Sequence, residues 1–172
     1  MALPPSDARW QRRATTTYLL LRLAQAATLI VYLVGSLLLT GGQFKQGQGP
    51  MWGEVLYFPL FSVPGWLMVG VSVLGVLLVT PVLVLARVSD AGRIGGAFAA
   101  TGAAAAASFM FAAVLPAESA GELALRWTAA WTDGGVAIVL MVLSLVLSVR
   151  SDRARERAGL PKWTGMEDDD QH

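Results

Sequence analysis

The chain has 172 residues, of which 55% are apolar and 15% are charged, and its net charge is +1. A chain this short and this apolar is not an ordinary soluble domain. Because its net charge is close to zero, we do not expect a nucleic-acid partner. The sequence contains no cysteine and a single histidine, His172. We therefore expect no disulfide, no metal site and no cofactor such as a bis-histidine haem.

Four long apolar runs dominate the sequence. They cover residues 18–40, 63–86, 94–115 and 131–149. As helices, runs of roughly 19–24 residues reach about 28–36 Å, which matches a bilayer hydrocarbon core of about 30 Å. Because lipid cannot hydrogen-bond to a backbone, each run must be a helix. We predict an all-α fold, a four-helix transmembrane bundle.

The basic residues lie mainly on one side of these runs. Ten of the thirteen Lys and Arg residues are on that side: Arg9, Arg12, Arg13, Arg87, Arg93, Arg150, Arg153, Arg155, Arg157 and Lys162. Lys45 and Arg126 fall on the other side, and Arg22 lies inside the first run. Because Lys and Arg stay in the cytoplasm during insertion, we predict that both termini are cytoplasmic. The Arg-rich and Ala-rich composition is typical of a high-GC bacterium, which indicates a bacterial inner membrane.

Polar segments flank the predicted transmembrane domain, residues 18–149. Residues 1–17 form a predicted cytoplasmic arm, in which a threonine at positions 15–17 caps the first helix. Residues 150–172 form a predicted mobile, charged cytoplasmic tail.

The first run carries polar side chains at steps of three and four residues, which places them on one helical face. They are Tyr18, Arg22, Gln25, Thr28, Tyr32, Gly35 and Ser36. In one interpretation, Arg22 lies about one turn deep and extends back to the cytoplasmic headgroups. In the other, Arg22, Gln25 and Tyr32 line a pocket for an anionic or quinone-like headgroup.

An aromatic, apolar segment separates the first two runs. Residues 51–65 are interrupted by Pro59 and Pro64, so we predict an interfacial segment in the first outer loop rather than a fifth span. Within the second run, Pro81 has no N–H and predicts a kink. The short polar segment at residues 87–93 predicts a tight turn that makes the second and third helices antiparallel neighbours.

The third run is rich in glycine and alanine. Small residues form two rows at four-residue spacing: Gly95, Ala99, Ala103 and Ala107, then Gly96, Ala100, Ala104 and Ser108. Such rows allow helix backbones to approach closely. They pack either within the bundle or against a helix of another membrane protein or of a second copy of this chain.

The fourth run follows a helical, amphipathic lead-in at residues 117–126, where Glu122 and Arg126 are spaced for an ion pair. Asp133 is then expected about two residues inside the outer edge of the fourth helix, near the helix dipole and paired with Arg126. In an alternative interpretation, Asp133 belongs to an outer acidic cluster with Glu54, Glu118 and Glu122.

No spacing in the sequence resembles a catalytic, nucleotide-binding or metal-binding motif. We therefore expect a non-enzymatic accessory or assembly subunit that acts through helix–helix contacts of the third run. The alternative is a protein or transporter component that binds a small molecule, a lipid headgroup or a quinone on the polar face of the first run.

Overall fold

The computed structural model describes residues 5–40, 63–84, 86–87, 90–115, 117 and 119–159. Within these ranges all regular structure is helical. The helices are α1 (Pro5–Thr40), α2 (Gly65–Val84), α3 (Ala91–Val114) and α4 (Ala120–Arg157). Most of the predicted interfacial segment, residues 51–62 with Glu54, lies outside the described residues, and so does Glu118.

All four helices are long and apolar enough to cross a membrane. This confirms the prediction of an all-helical fold with four candidate membrane-spanning helices. The shortest helix, α2, has 20 residues, which correspond to about 30 Å of helix. It continues through Pro81, and Thr80 Oγ1 donates a hydrogen bond of 2.7 Å to the carbonyl of Val76 beside it.

Helix α1 is longer than the first apolar run, because it includes the segment predicted as a separate arm. It has 36 residues and starts at Pro5. The hydroxyls of Thr15 and Thr16 donate to the carbonyls of Gln11 and Arg12, four residues back, at 2.9 and 3.0 Å. The prediction of a threonine cap at positions 15–17 is therefore wrong. Ala, Arg and Gln in the arm favour helix, so the helix extends beyond the apolar run.

Helix α4 is also longer than the fourth apolar run. It has 38 residues and begins after Ser119, whose Oγ accepts a hydrogen bond of 3.1 Å from the backbone N–H of Glu122. This side-chain cap starts the helix eleven residues before the predicted span. The predicted lead-in and the fourth run are thus one helix, which extends to Arg157.

The helices pack in a ring in which α1 and α4 occupy opposite corners. Helix α1 packs against α2 and α3, and α4 packs against the same two helices. Helices α2 and α3 are therefore also opposite each other, so the prediction that they pack as neighbours is wrong. Six residues (85–90) connect them. An extended linker of that length reaches about 20 Å, enough for a diagonal of roughly 14 Å between packed helices.

Helix α3 has the largest share of buried residues among the four helices. Its inward face consists mainly of alanine, including Ala97, Ala100 and Ala104, which are all at most 5% exposed. Because these side chains are small, α1 and α4 can both approach the backbone of α3 closely. This close approach brings polar side chains of α1 and α4 together in the interior, next to α3.

Candidate functional site

A buried ion pair joins the two opposite helices. Arg22 Nη1 of α1 donates to Asp133 Oδ1 of α4 at 2.7 Å, and both side chains have no solvent exposure. Arg22 is long enough to extend across the centre of the helix assembly, which explains how helices that do not pack together can share an ion pair. Charges buried in a membrane protein are costly unless they are paired in this way.

Two further side chains complete the coordination of the carboxylate. Gln25 Nε2 donates to Asp133 Oδ2 at 2.6 Å, and Ser108 Oγ of α3 donates to the same oxygen at 3.2 Å. The amide oxygen of Gln25 accepts a hydrogen bond of 2.8 Å from Arg22 Nη1. Arg22, Gln25, Ser108 and Asp133 form what we call the central polar cluster. It contains one positive and one negative charge, so it is neutral overall.

The guanidinium of Arg22 also contacts α2. A Cβ added to Gly75 would lie 2.9 Å from Arg22 Nε and closer still to Cζ and Nη2. Only glycine leaves room for the guanidinium at this position. On another side of the guanidinium, its Cζ lies 5.3 Å from the centroid of the Tyr18 ring. All four helices therefore contribute to the surroundings of Arg22.

A second polar contact lies one turn along α1. The hydroxyls of Tyr18 and Thr101 are hydrogen-bonded to each other. Thr101 Oγ1 donates to the carbonyl of Ala97 at 2.7 Å, so its single proton is already used. Tyr18 must then be the donor to Thr101. This bond connects α1 to α3 next to the central polar cluster.

The central polar cluster lies beside the middle of α2, the shortest helix. Gly75 is ten residues from Gly65 and nine from Val84, which places it about 15 Å from either end of α2. Arg22 contacts this midpoint and has no exposure, so its side chain points into the interior of the helix assembly. The expectation that Arg22 lies about one turn inside its helix is wrong, because α1 begins at Pro5, seventeen residues earlier.

Asp133 is also deeper than predicted. It lies thirteen residues after Ala120, about 20 Å from the start of α4. Its partners are Arg22, Gln25 and Ser108, whereas Arg126 pairs with Glu122, with Nε and Oε1 3.0 Å apart. The predicted Asp133–Arg126 pair is therefore wrong, and the predicted Glu122–Arg126 pair is confirmed.

A separate polar contact lies at the start of α4. Glu122 Oε1 accepts hydrogen bonds from the backbone N–H of Gly65, at 2.7 Å, and from Arg126 Nε. Arg126 Nη1 donates to the carbonyl of Leu115 at 3.3 Å. Glu122 is eleven residues from Asp133, or about 16 Å along α4, so these two acids do not form one cluster. Among the described residues, no three His, Asp or Glu side chains are placed to hold a metal ion.

The predicted site residues on α1 separate in the structure. Arg22 and Gln25 belong to the central polar cluster. Tyr32 is ten residues further along, about 15 Å away, where its half-buried ring packs against the apolar core.

The small residues predicted to pack on α3 divide between its two faces. Ala100 and Ala104 are buried against the neighbouring helices, and Gly95 faces Ser144 of α4. Gly96, Ala99 and Ala103 are exposed. A row at four-residue spacing turns by about 40° per step around a helix of 3.6 residues per turn, so neither row stays on one face.

Sequence reasoning missed Ser72, Gly75, Thr101 and the role of Ser108 at the site. One signal was available for the ion pair itself, because Arg22 and Asp133 are the only charges within the four apolar runs. Intramembrane charges usually pair with one another. Ser72 and Gly75 carry no sequence signal that distinguishes them from other small residues of α2.

No family model matches the chain, and comparisons with curated proteins and with solved structures find no match.

Proposed function

We propose that the protein is a non-enzymatic accessory or assembly subunit of a bacterial inner membrane, and that it binds a transmembrane helix of a partner protein through the outer face of α3. The central polar cluster fixes the four helices relative to one another. The outer face of α3 then provides the contact surface. A single observation carries this proposal, namely the residue type and spacing on that face.

The exposed face of α3 is made mainly of small residues at a regular spacing. We define the α3 outer stripe as the exposed residues Gly92, Gly96, Ala99, Ala103, Ala106, Met110 and Ala113, which are all small except Met110. Their steps alternate strictly between four and three residues, a seven-residue repeat. Such a repeat keeps a seam facing a partner helix that crosses at about +20° with a left-handed twist.

Packing within the chain does not explain the two glycines of the stripe. A Cβ added to Gly92 or Gly96 would meet no atom within 4 Å. Larger side chains would therefore fit at both positions. The glycines instead leave a shallow surface on which another helix backbone can lie close, which is the main source of helix affinity in lipid.

The exposed faces of the other three helices have a different character. They carry large apolar side chains, for example Leu20 and Val31 on α1, Leu77 on α2, and Ile138 and Leu145 on α4. Such side chains are suited to contact with lipid chains. The contrast between these faces and the α3 outer stripe favours α3 as the partner-binding face.

The proposed orientation places both termini in the cytoplasm. The exposed basic residues Arg12 and Arg13 of α1, and Arg150, Arg153 and Arg157 of α4, support it. The Glu122–Arg126 contact would then lie at the outer surface, about 15 Å from the central polar cluster.

Bulky substitution on the stripe tests this function. Ala103→Leu adds a large side chain to the α3 outer stripe, and Ala27→Leu adds the same side chain to an exposed position of α1. We expect purification from native membranes in mild detergent to recover a defined partner with the wild type and with Ala27→Leu. The same purification of Ala103→Leu should not recover this partner. Loss of that partner in both variants, or in neither, would contradict the proposal.

A further inference from the structure

The central polar cluster contains donors that the chain itself does not use. Arg22 Nε, Arg22 Nη2 and Ser72 Oγ are buried and have no hydrogen-bond partner among the described residues. Both residues have zero exposure. Unpaired buried polar groups are costly, and most such groups in folded proteins are satisfied by ordered water or a ligand.

These unpaired groups lie on the same side of the cluster. Ser72 and Gly75 are three residues apart on α2, so their side chains share one helical face. The guanidinium of Arg22 packs against Gly75, whose Cβ position would be nearest Nη2 and Cζ, while Nη1 turns to Asp133 and Gln25. The unpaired atoms of Arg22 and Ser72 therefore lie in the same part of the protein, where Arg22 of α1 packs against α2.

We infer that Arg22 and Ser72 bind a neutral hydrogen-bond acceptor, an oxygen atom held between α1 and α2. One oxygen accepts from both Arg22 Nε–H and Arg22 Nη2–H, and Ser72 Oγ supplies a third hydrogen bond as donor or acceptor. A buried water molecule typically makes about three hydrogen bonds, so the donor set fits.

The charge and the depth of the site define the class of occupant. Because Asp133 already neutralises Arg22, an additional anion would remain uncompensated in a region of low dielectric constant. Phospholipid headgroups lie too far away, since the cluster is about 15 Å from both ends of α2. The acceptor oxygen therefore belongs either to water or to a small neutral carbonyl compound that dissolves in the bilayer.

Nuclear magnetic resonance of the ¹⁵N-arginine-labelled protein in lipid bilayers tests this inference. The Arg22 Nε signal can be identified by its contact with the Tyr18 ring. Bound water predicts transfer of magnetisation from water to Arg22 Nε–H despite the zero exposure of this side chain. Acetone is the probe for a carbonyl compound, and isobutene is the control of the same shape without an oxygen.

A carbonyl-binding site predicts that acetone, but not isobutene, shifts the Arg22 Nε signal and removes any water cross-peak. Resident water predicts a cross-peak that persists with both compounds. The inference is wrong if Arg22 Nε–H shows neither a water cross-peak nor a shift specific to acetone. This outcome would leave the proposed contact through α3 untouched, because the two regions are on different helices.

Ser72→Ala tests the second half of the site. Ser72 has no protein partner, so the substitution breaks no bond within the described structure. We expect the occupant to bind about fivefold more weakly, the effect of one lost hydrogen bond, with a weaker cross-peak or acetone shift. The exposed Ser148 provides the control, and Ser148→Ala should change neither signal. An unchanged Arg22 signal in Ser72→Ala would contradict the assignment.

Discussion

Arg22 of α1 and Asp133 of α4 meet at 2.7 Å although their helices lie at opposite corners of the assembly. The bond passes through the interior and has no solvent exposure. Because α1 and α4 are held together only through α2 and α3, separation of any two neighbouring helices would disturb this bond. The pair is therefore expected to fix the relative positions of all four helices.

Removal of one partner of this pair should destabilise the protein strongly. Arg22→Leu or Asp133→Leu leaves an unpaired charge in the interior, and we expect each to lower the free energy of unfolding by about 3–5 kcal/mol. The double variant leaves no charge in the central polar cluster and should lose less than the sum of the two single losses. Unfolding in mixed detergent micelles measures all three. Additive losses would contradict a direct ionic interaction.

Gly75→Ala should be destabilising, because its Cβ would overlap the guanidinium of Arg22. We expect a loss of about 1–3 kcal/mol, typical of overpacking in an interior. Gly70 lies on the same helix, and a Cβ there would meet no atom within 4 Å. Gly70→Ala should therefore be neutral or slightly stabilising. Equal effects of the two substitutions in thermal denaturation would argue against the close contact.

The Tyr18–Thr101 hydrogen bond should contribute modestly to stability. Tyr18→Phe removes the donor, while Thr101 keeps its bond to the carbonyl of Ala97. A double-mutant cycle with Thr101→Val should give a coupling free energy of about 0.6 kcal/mol, the average for such bonds between membrane helices. A coupling indistinguishable from zero would show that the two hydroxyls do not interact.

Glu122 should hold the start of α2 against α4. Its carboxylate accepts from the backbone N–H of Gly65 and from Arg126 Nε. Glu122→Ala should therefore speed amide hydrogen exchange in the first turn of α2, with little change near Gly75 in the middle of this helix. Glu122→Gln keeps an acceptor oxygen and should have a smaller effect. Uniform acceleration along α2 would indicate global destabilisation instead.

The sequence predicts the number and type of the helices but not their ends. Apolar runs reveal the parts of α1 and α4 that suit lipid, and both helices extend further through polar residues. The Ser119–Glu122 spacing, with Ser and Glu three residues apart, is the pattern of a helix start and marks the true beginning of α4. A helix that begins at Ala120 places Asp133 in the interior of α4 and not at its edge.

The misplaced helix ends account for the misassigned partners. With α1 beginning near residue 18 and α4 near residue 131, Arg22 and Asp133 belong to opposite membrane surfaces and cannot meet. With the observed ends, both lie beside the middle of α2. The diagonal placement of α2 and α3 could not be predicted, because a six-residue connection permits both adjacent and diagonal packing.

The small residues of α3 are a further feature that the sequence predicts only in part. Their abundance predicts close packing, but only the structure separates the inward Ala100 and Ala104 from the outward Ala99 and Ala103. A periodicity of 3.5 residues in the small side chains is present in the sequence. It becomes informative once one knows which side of the helix is already covered by α1 and α4.

The most direct measurement of the proposed partner contact is a photocrosslinking scan along α3 in native membranes. A photoreactive amino acid is placed singly at each position from 99 to 106. We expect one crosslinked protein, strongest from positions 99, 103 and 106 of the α3 outer stripe and weakest from the buried positions 100, 101, 104 and 105. A yield without this periodicity, or an equal yield from the exposed Leu77 of α2, would contradict the proposal that α3 binds a partner helix.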